Sequence, residues 1–253
     1  MKRCFLCKPK VKESPMSRSS DPLYEGKAKK IYPGPAANQY IMYFKDDATA
    51  FNAVKKDTIA NKGILNQKIA TLVFRYLQSQ GIESHFLESL SDREMKVKAV
   101  DIVPLEVVVR NVAAGSLCKR LGLEEGIEIT PPLVEFFYKK DALGDPLLTK
   151  QHIAMLNLCS LAQVQALEEK ALAINNALLS LFDRANIQLV DFKVEFGLDE
   201  QGQLLLADEI TPDGCRLWDK DSKKILDKDR FRKDLGGLTQ AYEEVLQRIE
   251  TLV

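Results

Sequence analysis

The sequence predicts an α+β fold, because strand-like and helix-like segments come in runs rather than in strict alternation. Short period-2 segments lie on both sides of a first helical stripe, and a second stripe is followed by an alternating hairpin. In chain order, strand-like residues 23–25 and 30–32 flank Gly26-Lys27-Ala28-Lys29, and residues 40–44 form another short apolar run. A helix is predicted over residues 59–79, where Leu65, Ile69, Leu72, Val73, Tyr76 and Leu77 fall on one stripe and Gly81 follows as a stop. Strand patterns return at residues 85–90, 95–100 and 105–109, with Pro104 marking the break between the last two. A short helix is expected over residues 116–121, ended by Gly122, and a turn-rich loop over residues 141–146. A long helix covers residues 161–184, with Val164, Leu167, Ala171, Ile174, Leu178 and Leu181 on one face. The hairpin comes next, and a last helix from about residue 228 reaches the C-terminus. There is no internal repeat.

Bulk composition bounds the function. The chain has 253 residues, enough for one large or two modest domains. Lys and Arg (36) balance Asp and Glu (36), so no global field recruits nucleic acid or an anionic membrane. No apolar run approaches the roughly 18–20 residues that span a bilayer. Five scattered cysteines argue against a disulfide framework and for a reducing, cytoplasmic setting. Cys4 and Cys7 form a C-x-x-C, but no second pair follows at zinc-ribbon spacing. With only His85 and His152 present, a histidine-built metal site is not expected; each reads as a surface or packing residue. Residues 1–20 are basic and serine-rich without hydrophobic period, and lack a signal-peptide core. They are expected to be a disordered tail, with Met16 as an alternative initiator.

The hairpin is the richest segment. Alternation in Val190-Asp191-Phe192-Lys193-Val194-Glu195-Phe196-Gly197 places Asp191, Lys193 and Glu195 on one face and the aromatic and aliphatic residues on the other. With the turn centred on Asp199-Glu200-Gln201-Gly202, Glu195 falls opposite Leu206, and Asp208 becomes its diagonal neighbour about 7–8 Å away. Two carboxylates so placed can share a cation beside a phosphate. The same pattern also describes a solvated hairpin face.

Three further motifs point to anions. Gly26-Lys27-Ala28-Lys29-Lys30 sets a glycine and three lysines between strands, which suits a phosphate but is also an ordinary basic turn. It lacks the P-loop pattern. Arg110-Asn111, followed by Ala113-Ala114-Gly115-Ser116, joins a strand end, a glycine turn and a helix start, which can hold an anion or simply cap a helix. Asp208-Glu209-Ile210-Thr211-Pro212-Asp213-Gly214-Cys215-Arg216 ends a strand in two acids and presents a second arginine after a turn. Such a set suits phosphoryl transfer to an anionic second substrate. Trp218 reads as a packing anchor.

The blocks LYEGKAKKIY, IANKGILNQK, VPLEVVVRNVAAGS, LVDFKVEFG, DEITPDGCRLWDK and DKDRFRKDLGG, in that order, closely resemble the SAICAR synthetase family over about residues 23–242. The resemblance implies a small β-rich N-terminal lobe (residues 21–98) and a larger α+β domain (residues 99–253) with ATP between them, as in protein kinases. It implies a ligase that joins L-aspartate to the carboxylate of CAIR, the carboxyaminoimidazole ribonucleotide, with ATP and Mg²⁺. By matching blocks, Gly26, Lys27 and Lys29 would cover the ATP phosphates; by position between the lobes rather than by a matching block, Lys96, Val97 and Lys98 would form a linker near the adenine. Glu195 and Asp208 would hold Mg²⁺, with Lys193 beside the phosphates. Arg110, Ser116 and Arg216 would bind CAIR, and Asp191 and Asp213 its polar groups; Lys193, Asp191 and Arg216 are the expected catalytic set. Lys139, Lys140 and Asp141 are candidates for the aspartate subsite. Val112 stands where relatives often carry a basic residue, and Cys215 where serine is common. A homo-oligomer is compatible with the family, which includes dimers, small oligomers and monomers.

Two other readings compete. A regulatory or nucleic-acid-binding module would use the lysine turn, but exposed aromatics are not interleaved with it. A kinase of similar shape would need H-R-D and D-F-G motifs, and neither occurs.

Overall fold

The computed structural model describes residues 21–50 and 54–253. The expectations for the tail and for Cys4 and Cys7 lie outside these residues.

Strands β1 (Tyr24–Glu25), β2 (Lys29–Pro33) and β3 (Gln39–Phe44) form an antiparallel meander. β4 (Asp47–Ala50) and β5 (Lys55–Thr58) make a separate two-stranded ribbon. Helix α1 (Lys62–Ser79) buries Leu65, Ile69, Val73, Tyr76 and Leu77 of the expected stripe, while Leu72 is only partly buried beside them. Full burial of such aliphatic side chains is worth about 1.5–3 kcal/mol each. β6 (Phe86–Ser91) and β7 (Glu94–Lys98) then complete a five-stranded sheet in the order β1-β2-β3-β7-β6.

The second sheet starts with β8 (Asp101–Val112), which runs through Pro104. The expected break at Pro104 falls instead at Ala99–Val100. Proline has no N–H to give, and here it sits where the pairing of β8 with its neighbour is irregular, between Ile102 and Glu106. Helix α2 (Ser116–Leu121) matches its expected bounds and ends at Gly122, whose φ is 66°. β9 (Glu128–Tyr138) was not expected, and it carries Pro131-Pro132. The prolines fall in a bulge, where residues 129–132 lie between pairs made by Val112 and Arg110. After a 3-10 turn (Asp141–Leu143) come β10 (Leu147–Leu148), α3 (Lys150–Met155) and α4 (Leu161–Arg184), the last within its expected bounds. Ser160 starts α4 with a capping box, its hydroxyl accepting from the Gln163 N–H.

β11 (Ile187–Leu198) is the central strand. It pairs with β8 on one side; on the other its two ends pair with β12 (Leu204–Ala207) and β13 (Cys215–Asp219). The final helix divides into α5 (Asp229–Arg232) and α6 (Leu238–Glu250), because Gly236 and Gly237 take φ of 64° and 63° between them. The cores of both sheets, α1, α4 and α6 form one cluster, from Met42 and Phe74 to Phe192 and Tyr242. Trp218 packs with Val112, Ala114 and Val190, as a packing anchor should. Among the described residues no helix is long and apolar enough to cross a membrane.

Candidate active site

A cleft of about 1260 Å³ opens between the two sheets. Strand register decides what faces it. On the small sheet Ile31 pairs with Met42 and Tyr40 with Val97, and Tyr40 and Met42 are two apart, so all four share one face. They line the cleft as an apolar patch, with Lys29 on the same face two residues before Ile31. Lys96 pairs with Ile41 on the opposite face, and its ammonium reaches Glu88 rather than the cleft. Val97 and Lys98 do line it, but both belong to β7, and the crossing to the second sheet follows at Ala99–Val100. Gly26 and Lys27 sit at the rim, where Lys27 Nζ meets Asp141 Oδ1 at 2.8 Å across the opening.

On the large sheet β11 presents Asp191, Lys193 and Glu195 to the cleft, while Phe192, Val194 and Phe196 are buried in the core. Across from them β8 presents Arg110, Val108 and Glu106, paired in that order. Lys193 Nζ lies 2.5 Å from Glu106 Oε1 and 3.5 Å from Glu195 Oε1, and Lys139 Nζ lies 2.6 Å from Glu195 Oε1. Burial alone would lower the Lys193 ammonium, but Glu195, Glu106 and Asp208 outweigh it and raise its pKa.

The hairpin register differs by one residue from the expected pairing: Glu195 lies opposite Ala207, not Leu206. The loop has five residues, because Asp199 Oδ1 accepts from the backbone N–H of both Gln201 and Gln203 and draws Gln203 into the turn. In that register a continued strand would turn Asp208 away from Glu195. Asp208 instead adopts φ of 60°, which breaks the alternation, and its carboxylate pairs with Lys29 inside the cleft. His85 steadies this turn. Burial depresses its pKa to about 4, so the neutral ring donates through Nε2–H to the Asp208 carbonyl at 3.0 Å.

Burial would raise the Asp208 carboxyl, but Lys29 and Lys193 hold it far below the usual range. Burial does raise its neighbour Glu209, which reaches Lys29 at 3.0 Å through Oε1 and keeps Oε2 buried without a hydrogen-bond partner. No cluster of three His, Cys, Asp or Glu suited to a metal occurs among the described residues. Glu195 and Asp208 are two cleft carboxylates that could hold a cation, amid lysines. This suits a hard cation that takes its other ligands from phosphate and water, the usual habit of Mg²⁺.

Asp191 lies directly opposite Arg110 on β8 and Arg216 on β13. Its Oδ2 accepts from Arg110 Nη1 at 2.9 Å and from Arg216 Nη1 at 2.8 Å, so its carboxylate is committed to the two guanidinia. Arg110 Nη2 donates to Ser116 Oγ at 3.2 Å. Asp213 is also engaged: its carboxylate takes Lys62 Nζ at 2.5 Å, the Tyr242 hydroxyl at 2.6 Å and Asn66 Nδ2 at 3.1 Å. These grips from α1 and α6 fix the loop 211–214.

Several cleft residues escaped the sequence reading. Glu106 shares a face with Arg110 at strand spacing, a signal that was available. Lys228 stands in the quoted block DKDRFRKDLGG, and burial lowers its ammonium while its closest carboxylate, Asp213, stays 3.9 Å away. Arg232, one turn on, also lines the cleft. Lys62 stands in the quoted block IANKGILNQK, but neither it nor Tyr242 lines the cleft, and no local pattern announced their contacts with Asp213. Of the aspartate candidates, Lys139 and Asp141 line the cleft and Lys140 does not.

Known proteins resemble this chain in sequence and in fold. The SAICAR synthetase family profile covers residues 22–249. The phosphoribosylaminoimidazole-succinocarboxamide synthase of Bacillus cytotoxicus is 58% identical over 90% of this chain and 95% of its own length. The crystal structure of that enzyme from Ehrlichia chaffeensis superposes with a TM-score of 0.89 at 43% identity, covering 91% of this chain and 98% of its own. A SAICAR synthetase in complex with ADP superposes with a TM-score of 0.87 at 48% identity, covering 89% and 96%. The chain belongs to the SAICAR synthetase family.

Proposed function

We propose that this cleft activates a carboxylate with ATP and passes it to an amine. The chain is a ligase that joins L-aspartate to the carboxylate of CAIR, forming SAICAR, ADP and phosphate in purine biosynthesis. One observation supports the assignment of parts above all. A lysine-ringed carboxylate pair, Glu195 and Asp208, and a two-arginine anion site, Arg110 and Arg216, open into the same cleft.

A carboxylate does not condense with an amine at neutral pH, because oxide is too poor a leaving group. In the proposed sequence a CAIR carboxylate oxygen attacks the γ-phosphorus of ATP, the bond to the β–γ bridging oxygen breaks, and ADP leaves. The aspartate amine then attacks the acyl carbon, loses its proton, and expels phosphate. The protein's share is to position three anions and to neutralise the transferring group.

The apolar patch of Ile31, Tyr40, Met42 and Val97 would receive the adenine, with Gly26, Lys27 and Lys29 over the phosphates. Glu195 and Asp208 would hold Mg²⁺, which when bound offsets charge on the phosphates. Lys193 would face the transferring phosphoryl group. Arg110, Ser116 and Arg216 would bind the anionic groups of CAIR. Asp191 and Asp213 act by orienting, the first the arginines and the second the 211–214 loop. Lys228 and Arg232 join Lys139 as cations suited to the carboxylates of aspartate.

The test is ADP release with ATP, Mg²⁺, CAIR and L-aspartate, each omitted in turn, with the product identified by mass. ADP and SAICAR formed only in the complete mixture support the assignment. A folded protein that turns over no mixture refutes it.

A further inference from the structure

The row Arg110–Asp191–Arg216 ends in a further carboxylate on each side. Glu135 on β9 lies opposite Val108, diagonal to Arg110 on the same face, and accepts from Arg110 Nε at 2.6 Å. It also pairs with Arg120. At the other end Asp229 accepts from Arg216 Nε at 2.9 Å and from Arg232 Nη1 at 2.5 Å. Both acids are buried, and neither lines the cleft.

Each guanidinium is thus held at two edges, Nε by an outer acid and Nη1 by Asp191. A planar fork fixed at two corners has its third corner fixed as well. The two Nη2 groups converge: that of Arg110 meets Ser116 Oγ at 3.2 Å, and that of Arg216 lies against Gly115, where an added Cβ would fall 2.3 Å away. Four arginines face three acids in the whole chain of contacts, so the cluster keeps a surplus of positive charge.

We propose that Glu135 and Asp229 are positioning residues for substrate recognition, holding Arg110 and Arg216 so that their Nη2 groups converge beside Gly115 and Ser116 on one oxyanion of CAIR. This rests on the reading that Arg110, Ser116 and Arg216 bind that substrate. The proposal makes a prediction opposite in sign to plain electrostatics. Removing an acid from the row raises the local positive charge, which alone would tighten anion binding. Positioning requires that binding weaken instead.

The test compares Glu135→Gln, Asp229→Asn, Glu135→Asp and Arg216→Ala in the full chain, after near-UV circular dichroism shows native packing. The readouts are KM for CAIR, KM for ATP, kcat, and the inhibition constant of inorganic phosphate competing with CAIR. Glu135→Gln and Asp229→Asn should each raise KM for CAIR and the phosphate constant about tenfold, roughly the loss of one charge-assisted hydrogen bond. KM for ATP should move less than twofold, and most of the loss should appear in KM rather than kcat. Glu135→Asp keeps the charge and withdraws the carboxylate by a methylene, so it should also raise KM for CAIR. It carries the test alone if the neutral variants do not fold. Unchanged or tighter CAIR and phosphate binding in the acid variants, with Arg216→Ala still impaired, overturns the positioning role and leaves the arginine site standing. If Arg216→Ala also leaves KM for CAIR unchanged, the arginine site itself is wrong.

Discussion

Replacing Asp191 with asparagine is the sharpest single perturbation of this cleft. One oxygen, Oδ2, accepts from Nη1 of both Arg110 and Arg216, at 2.9 and 2.8 Å, and the carboxylate is 4% exposed. Asp191→Asn keeps the shape and removes the charge that separates two guanidinia. Breaking a buried ion pair from one side costs about 3–5 kcal/mol. Here Arg110 keeps Glu135 and Arg216 keeps Asp229, so about 2–3 kcal/mol is the better expectation. For a chain of this size that lowers Tm by about 4–12 °C. Urea unfolding measures the stability loss, and steady-state kinetics measures the functional one. KM for CAIR should rise by about one to two orders of magnitude as two guanidinia lose their common anchor. Exchanging Arg216 for methionine in the same protein should recover part of the stability, since one of the two guanidinia that faced each other across the lost carboxylate is gone, but none of the CAIR affinity. An Asp191→Asn protein within about 0.5 kcal/mol of wild type, with unchanged KM for CAIR, would refute the claim that this carboxylate organises the anion site.

Three other perturbations follow from the same geometry. Asp208→Asn should lower Mg²⁺-ATP-dependent turnover by orders of magnitude while the fold persists, and wild-type turnover by a folded variant would remove Asp208 from the metal pair. Gly115→Ala places a Cβ on a backbone with φ of 57° and 2.3 Å from an Arg216 nitrogen that two acids hold in place; KM for CAIR should rise at least about tenfold, and an unchanged value would show that the guanidinium shifts freely. His85 titrates at about 4 in the folded protein against 6.5 normally, so the unfolded chain binds the extra proton between those values. Stability is then fully present above pH 6.5 and lost as pH falls toward 4. Urea unfolding of His85→Gln should show a shallower loss than wild type across that window, and an identical slope would mean that His85 is not buried as a neutral donor.

Much of this site was legible in the sequence because strand alternation is a strict rule. Asp191, Lys193 and Glu195 share a face as their spacing requires, and Arg110 meets Asp191 because the pairing of β8 with β11 is in register from Arg110 to Glu106. The sequence misled where side chains act on the backbone. Asp199 capping two amides lengthened the turn and moved the register by one, and it is the left-handed backbone at Asp208 that brings its carboxylate into the cleft against Lys29. β9 was not expected, and its two prolines fall in a bulge. With β9 went Glu135, whose contact with Arg110 depends on the pairing of β9 with β8. Lys96 failed for the reverse reason, since alternation puts it on the far face and only its position between the lobes suggested the cleft. Asp213 was expected to contact polar groups of CAIR, but its carboxylate is gripped by Lys62 and Tyr242, residues far apart in the chain, and no local pattern announces that grip.

The central claim is that the cleft activates the CAIR carboxylate by phosphoryl transfer from ATP. It is tested most directly by following ¹⁸O from the carboxylate of labelled CAIR through a single turnover with Mg²⁺-ATP and L-aspartate. The account predicts that the oxygen lost on amide formation appears in inorganic phosphate, in step with SAICAR. Label that appears in water instead, with unlabelled phosphate released at the same rate, would contradict it.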